Sequence, residues 1–235
     1  MAVKKRFYKS VTIEKSAGFW RVQLDGRDLK SPAGTLLSLP TSDLASAIAD
    51  EWQAQDEEID AASMPLFALT VTVLDRVSPQ RDTLIAELTA YGGNDLLCYR
   101  GEHEELAARQ HEMWQPWLDR LQDQDAISLG TVTGIMPIGQ SEAGKFTPII
   151  AAYDDWRLGV LYRMSTLSGS LVLGFWFTRG DIDSKALFDL AFLDELWQNE
   201  NWGIDFEAAD RHEYLRGEMA DAARFLSLLA GDGDH

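Results

Sequence analysis

The hydrophobic pattern of the chain changes its main period near Thr41. Upstream, Val11 and Ile13, then Trp20, Val22 and Leu24, then Leu37 and Leu39 alternate with polar neighbours, which is the period of half-buried strands. Asp25-Gly26 divides two of these runs and suits a tight hairpin, because glycine readily takes the positive φ that a primed turn needs. Ser31-Pro32-Ala33-Gly34 supplies the next turn. The pattern predicts a small antiparallel sheet.

Downstream the spacing becomes helical. Thr41 or Ser42 can cap a helix that repeats Leu44, Ile48, Trp52 and Gln55 on one face, which makes Trp52 a packing residue. Pro65 suits the first turn of a second helix reaching Val77, and Pro79 opens a third that ends near Gly92-Gly93. The run Leu66 to Leu74 has few polar residues and is expected to be buried on most sides. Glu104 to Asp123 is amphipathic, interrupted by Pro116. Ile127 and Leu129 alternate into Thr131 and Thr133 before Gly134-Ile135-Met136-Pro137, which reads as a strand returning to the amino-terminal sheet. Further helices are expected over 146–163 and 166–177. Another runs from Asp183 or Ser184 to Gly203, and a last one carries the stripe Leu215, Met219, Ala222, Leu226 and Leu229. The fold class is therefore α+β. An amino-terminal sheet domain with one helix, residues 1–60, precedes a larger all-α orthogonal bundle, residues 61–235; the strand near 127–137 is the segment that can join the first domain.

Composition narrows the function classes. The chain is 46% hydrophobic and 25% charged, as expected of a soluble globular protein. Its single Cys98 excludes an intramolecular disulfide framework and a cysteine-built zinc site, and points to a reducing compartment. Cys98 lies between Leu97 and Tyr99 and reads as an inert buried thiol. Lys4-Lys5-Arg6 is not followed by an apolar signal core, and the longest apolar run, Leu167 to Thr178, is too short to cross a bilayer, so neither export nor membrane insertion is expected. The formal net charge is -17, although residues 1–30 carry a net of +5. Such an acidic body disfavours nucleic-acid binding, because phosphate contacts need cations.

Motifs for catalysis are missing. Gly34 and Gly92-Gly93 lack the glycine and lysine positions of a phosphate loop, and Leu167-Ser168-Gly169-Ser170 only approaches a nucleophile elbow. His103, His111 and His212 stand in polar stretches and are expected to be exposed. No cofactor is implied.

Acid and large aromatics are packed most densely from Leu193 to Glu207. Aromatic anchors supply contact area and charges select a partner, so this mixture suits a protein-binding face. Asp194, Glu195, Glu200, Trp202, Asp205 and Glu207 are its candidate contact residues. A helical face with core-facing aromatics, its carboxylates answered by Arg211 or Arg216, explains the same residues without a partner. A carboxylate-dependent hydrolase or metal enzyme is the catalytic alternative, motivated by the acid cluster alone.

Short blocks along nearly the whole chain resemble one known family. They include Lys5-Arg6-Phe7-Tyr8, Leu24-Asp25-Gly26-Arg27, Leu39-Pro40-Thr41, Glu51-Trp52 with Gln55, and Met64-Pro65-Leu66. Asp75-Arg76-Val77, Asp95-Leu96-Leu97-Cys98-Tyr99-Arg100, Gly134-Ile135-Met136-Pro137 and Gly169-Ser170-Leu171-Val172-Leu173 continue the series. In order and spacing the chain resembles the ATP synthase assembly chaperones that bind the unassembled alpha subunit, the mitochondrial ATP synthase complex assembly factor 2 family. It departs from them in Asn94, where relatives commonly carry Thr. The resemblance implies a non-enzymatic chaperone that shields the subunit-contact surface of free alpha subunit from aggregation until the beta subunit replaces it. It also implies that the functionally important acid lies in Leu193-Asp194-Glu195, at Glu195. A monomeric bacterial member in the cytoplasm is the expectation; eukaryotic relatives belong in the mitochondrial matrix.

Overall fold

The fold is α+β and mostly helical, as the change of period implies. The computed structural model describes residues 4–203 and 206–231, except for the side chains of Lys4, Phe206 and Glu207. Two compact units emerge: residues 1–80 with 221–235, and residues 81–220.

In the first unit, strands β1 (Lys4–Lys5), β2 (Val11–Ser16), β3 (Phe19–Leu24) and β4 (Arg27–Asp28) precede helix α1 (Ser42–Gln53). Strands β2, β3 and β4 form an antiparallel sheet in that order, with Ile13 opposite Val22 and Leu24 opposite Arg27. The Asp25-Gly26 hairpin forms as expected, with φ of 49° and 75°. The Asp25 carboxylate accepts from the backbone N–H groups of Lys9 and Ser10, at 3.0 and 2.9 Å, which fixes the approach to β2. A second two-residue turn, Ala17-Gly18, joins β2 to β3. Val22 and Leu24 face α1, where Leu44, Ala45 and Ile48 are buried. Thr41 caps α1 by accepting from Leu44 N at 3.2 Å.

The same unit continues with β5 (Glu58–Ile59), paired with β1, and α2 (Pro65–Thr72), with Pro65 in its first turn. Trp52 is buried and packs edge-on between Tyr8 and Phe67. Glu51 accepts from Leu66 N and Phe67 N at 2.8 and 2.9 Å, capping the start of α2 with negative charge. The run from Leu66 to Leu74 is less enclosed than its composition suggests. Leu66, Thr70 and Val73 are buried, whereas Phe67, Leu69, Val71 and Leu74 are half-buried, so α2 has one core face.

The second unit holds α3 (Arg81–Gly92), β6 (Tyr99–Arg100), α4 (Glu104–Asp125), β7 (Val132–Thr133), α5 (Phe146–Ala151), α6 (Asp155–Ser168), α7 (Leu171–Thr178), α8 (Ser184–Ala191) and α9 (Leu193–Trp202). It also holds the first part of α10 (Phe206–Ala230), whose last residues belong to the first unit. The strand expected to join the amino-terminal sheet does not: Val132 pairs with Tyr99 and Thr133 with Arg100, in parallel. Its proximity to β6 satisfies those backbone groups within the helical unit.

Two helices expected to be continuous are broken by caps. Asp154 accepts from Arg157 N at 2.8 Å, separating α5 from α6. Ser170 accepts from Leu173 N at 3.0 Å and separates α6 from α7, with Gly169 at φ 72°. Pro116 is accommodated inside α4. Helix α7 is buried throughout, and Gly174 makes that possible: a Cβ there would run into Ser165 Oγ and lie 3.0 Å from the Ser165 backbone N. Gly174→Ala is expected to destabilise the chain by about 1–3 kcal/mol through overpacking, measurable as a lowered urea midpoint.

Candidate partner-binding site

The acidic and aromatic stretch lies on a bent pair of helices rather than one. Phe192 interrupts the helix with ψ 24°, yet its N–H still reaches Phe188 O at 3.0 Å and its carbonyl accepts from Leu196 N at 2.9 Å. The bend turns Phe188 and Phe192 towards α10, where both rings contact His212, at centroid distances of 5.2 and 5.7 Å.

His212 is the main residue that sequence reading missed. It is 4% exposed, against the expectation of an exposed side chain, and its Nε2 lies 2.7 Å from Glu195 Oε2. The signal was present: His212 precedes Leu215 and Met219 by one and two helical turns and so belongs to the buried stripe of α10. The stripe itself is corrected at its far end, where Phe225 is buried and Leu226 and Leu229 are half-buried.

Glu195 occupies the rim of this cluster, with a side chain 40% exposed. Arg211 Nη1 donates to both of its oxygens, at 3.1 and 2.9 Å, while the Arg211 guanidinium lies over the Phe192 ring. Partial burial pushes the Glu195 carboxyl up, but the hydrogen bonds from His212 and Arg211 and the charge of Arg211 outweigh it. The carboxyl is therefore held below its ordinary value. Arg216 stacks over Phe188 at 3.8 Å. The internal cation is thus Arg211, and the pair is open to water rather than enclosed.

The neighbouring candidates are distributed around the same helix. Asp194 accepts from Gln110 Nε2 at 2.7 Å, and buried Gln110 accepts from Gly101 N at 2.7 Å, which ties the start of α9 to α4. Glu200 is exposed and forked by Arg109 at 2.5 and 3.0 Å. Trp197 is core; its ring lies 4.9 Å from His103 and meets Trp202 edge-on at 5.3 Å. Trp202 is 73% exposed. Asp205 and the Glu207 side chain lie outside the described residues.

A cleft of about 680 Å³ opens beside these residues, with Met113, Leu193 and Leu196 among its apolar lining and Arg109, Glu213 and Arg216 among its charges. Among the described residues, no group of three His, Cys, Asp or Glu side chains is close enough to hold a metal ion. Cys98 is buried, and burial pushes its thiol up to about 12. Among the described residues no helix is long and apolar enough to cross a membrane.

Comparisons with known proteins fit this architecture to solved structures over nearly its whole length. Atp12 from Paracoccus denitrificans matches with a TM-score of 0.90 and 39% identity, covering 96% of this chain and 98% of that one. An Asp-to-Lys mutant of the same P. denitrificans protein matches with a TM-score of 0.90 and 38% identity, over 96% and 97% of the two chains. A putative chaperone from Agrobacterium tumefaciens matches with a TM-score of 0.89 and 33% identity, over 97% and 87%. Protein atp12, mitochondrial, of Schizosaccharomyces pombe is 24% identical over 93% of this chain and 81% of its own length. The family model described as ATP12 chaperone protein matches residues 5–122. The class these matches define is that of a non-enzymatic assembly chaperone. Within that class, the chain belongs to the ATP12 chaperone family, whose role is ATP synthase assembly.

Proposed function

We propose that the protein binds the free alpha subunit of the ATP synthase catalytic sector, covers its subunit-contact surface and prevents its aggregation before the beta subunit takes its place. Helix α9 carries this reading: Glu195, half-exposed and held below its ordinary pKa, supplies a persistent charge, and Trp202, exposed at the far end of the helix, supplies an aromatic anchor. Glu195 is the principal contact, joined by Asp194, Glu200 and Trp202 of the same helix; Asp205 and Glu207 remain contact candidates from the sequence alone. An interface of standard size masks roughly 800 Å² per partner, enough to cover an exposed apolar patch while remaining reversible. The protein acts as a monomer in the bacterial cytoplasm, a compartment suited to a chain with one buried, unreactive cysteine.

Isolated alpha subunit, mixed with excess of the purified protein, is expected to scatter less light on warming and to elute with it as a one-to-one complex. Unchanged scattering together with separate elution would discard the reading.

A further inference from the structure

The Gly134-Ile135-Met136-Pro137 block has no part in the acidic face, and the structure presents it to solvent. Gly134 has φ 85° and its N–H donates to Arg100 O at 2.8 Å, which ends the pairing of β7. The next residues leave the surface: Ile135 is 93% and Met136 72% exposed. Neither side chain contributes to the core, so serine at either position would cost the fold little. Two large apolar side chains held in water side by side are characteristic of a contact site.

The block borders a trough in the helical unit. Ile135, Pro137, Leu96 and Tyr99 line one hollow of about 540 Å³, and Tyr91, Tyr162 and Glu87 line another of about 600 Å³. Asn94 and Gly169 line both, so the two are continuous. Tyr99 OH donates to Asn94 Oδ1 at 2.5 Å, which fixes the ring in the floor. Among the residues lining the two hollows, Glu87 alone is charged, on a chain of net charge -17. A charged segment placed here would lose its hydration with little countercharge, whereas an uncharged apolar one gains burial and meets three tyrosine rings. A nucleic acid would find no cation among the lining residues.

We propose that this trough is a second client grip, taking an uncharged apolar stretch of the alpha subunit's contact surface. The proposal rests on the alpha-subunit reading above, and it divides the labour between two faces. The acidic face governs encounter and salt dependence, and the trough governs how long the complex lasts.

The test is the full-length Ile135→Ser/Met136→Ser variant, with immobilised alpha subunit and real-time binding. Circular dichroism and the thermal midpoint are expected to match wild type, because both side chains are exposed. The dissociation rate should rise about tenfold or more, with the association rate and its salt dependence unchanged. A dissociation rate equal to wild type overturns the second grip while leaving the alpha-subunit reading in place; failure of wild type itself to bind removes that reading as well. A photo-crosslinking residue at position 135 should join to alpha subunit, within a stretch free of charged residues, and the absence of any such product counts against the grip. Sedimentation completes the test. A concentration-dependent dimer that forms with wild type but not with the variant would assign the trough to a second copy of the chain and overturn the proposal.

Discussion

Asp95→Ala is expected to lower the stability of the chain by about 3–5 kcal/mol, a loss larger than surface substitutions produce. Asp95 is fully buried, and donors converge on it from two segments. Leu97 N donates at 3.0 Å from its own turn; Ser170 Oγ and Val172 N donate at 2.7 and 2.9 Å from the start of α7. Alanine would leave two buried backbone N–H groups without an acceptor, each costing roughly 1–3 kcal/mol, and would remove the negative charge at the α7 amino terminus. It would also loosen Ser170, whose hydroxyl caps that helix while donating to Asp95. Burial raises the Asp95 pKa against the hydrogen bonds that oppose it. Between the ordinary aspartate range and the raised value, the folded state therefore retains a proton that the unfolded chain has lost; above that window the carboxylate is charged. Stability attributable to this group accordingly falls as pH rises from the ordinary aspartate range through the raised value. Denaturant unfolding followed by circular dichroism should show the loss in Asp95→Ala. Asp95→Asn keeps an acceptor and does not titrate, so it should lose less and show a flatter pH profile. An Asp95→Ala variant within about 0.5 kcal/mol of wild type would mean that the turn and α7 hold together without this carboxylate.

Asp95 also illustrates what the chain discloses in advance. The sheet was legible because its signals are local: alternating Val22 and Leu24, then Asp25-Gly26 with the positive φ that the hairpin requires. The starts of α1 and α2 were legible for the same reason, through Thr41 and Pro65. The breaks at Asp154 and Ser170 were not, because helical periodicity continues across them and the capping side chains decide. The pairing of β7 with β6 depends on where α4 carries the chain, which a period of two cannot state. Of the candidate site, the acid and aromatics of α9 were visible as a composition. Their arrangement was not, because it depends on the bend at Phe192 and on the burial of His212 beneath Glu195. Periodicity along α10 could have placed His212 inward, but its neighbours Arg211 and Glu213 masked the signal with exposed charge.

Glu195→Lys is expected to reduce alpha-subunit affinity about tenfold to a hundredfold, and the cause can be separated from simple damage to the fold. The carboxylate already receives Arg211 on both oxygens and His212 on one. A carboxylate has about four lone-pair sites, so a further donor from the client can be accepted without displacing either partner. Lysine instead places a cation beside Arg211 and closes that opportunity. Glu195→Arg with Arg211→Glu restores an ion pair in reversed order, and arginine can still donate to a neutral His212. The swap should recover the wild-type unfolding midpoint but not the binding, because the face presented to the client has changed sign at position 195. Glu195→Gln adds a check on the charge itself. The depressed folded pKa of Glu195 contributes stability that is present above the ordinary glutamate range and lost as pH falls through the lowered value. The difference in midpoint between wild type and Glu195→Gln should therefore vanish on acidification through that window. A swap variant that both folds and binds would make Glu195 a strut between α9 and α10. The charge read by the client would then belong to a carboxylate lining the neighbouring cleft, such as Glu200 or Glu213.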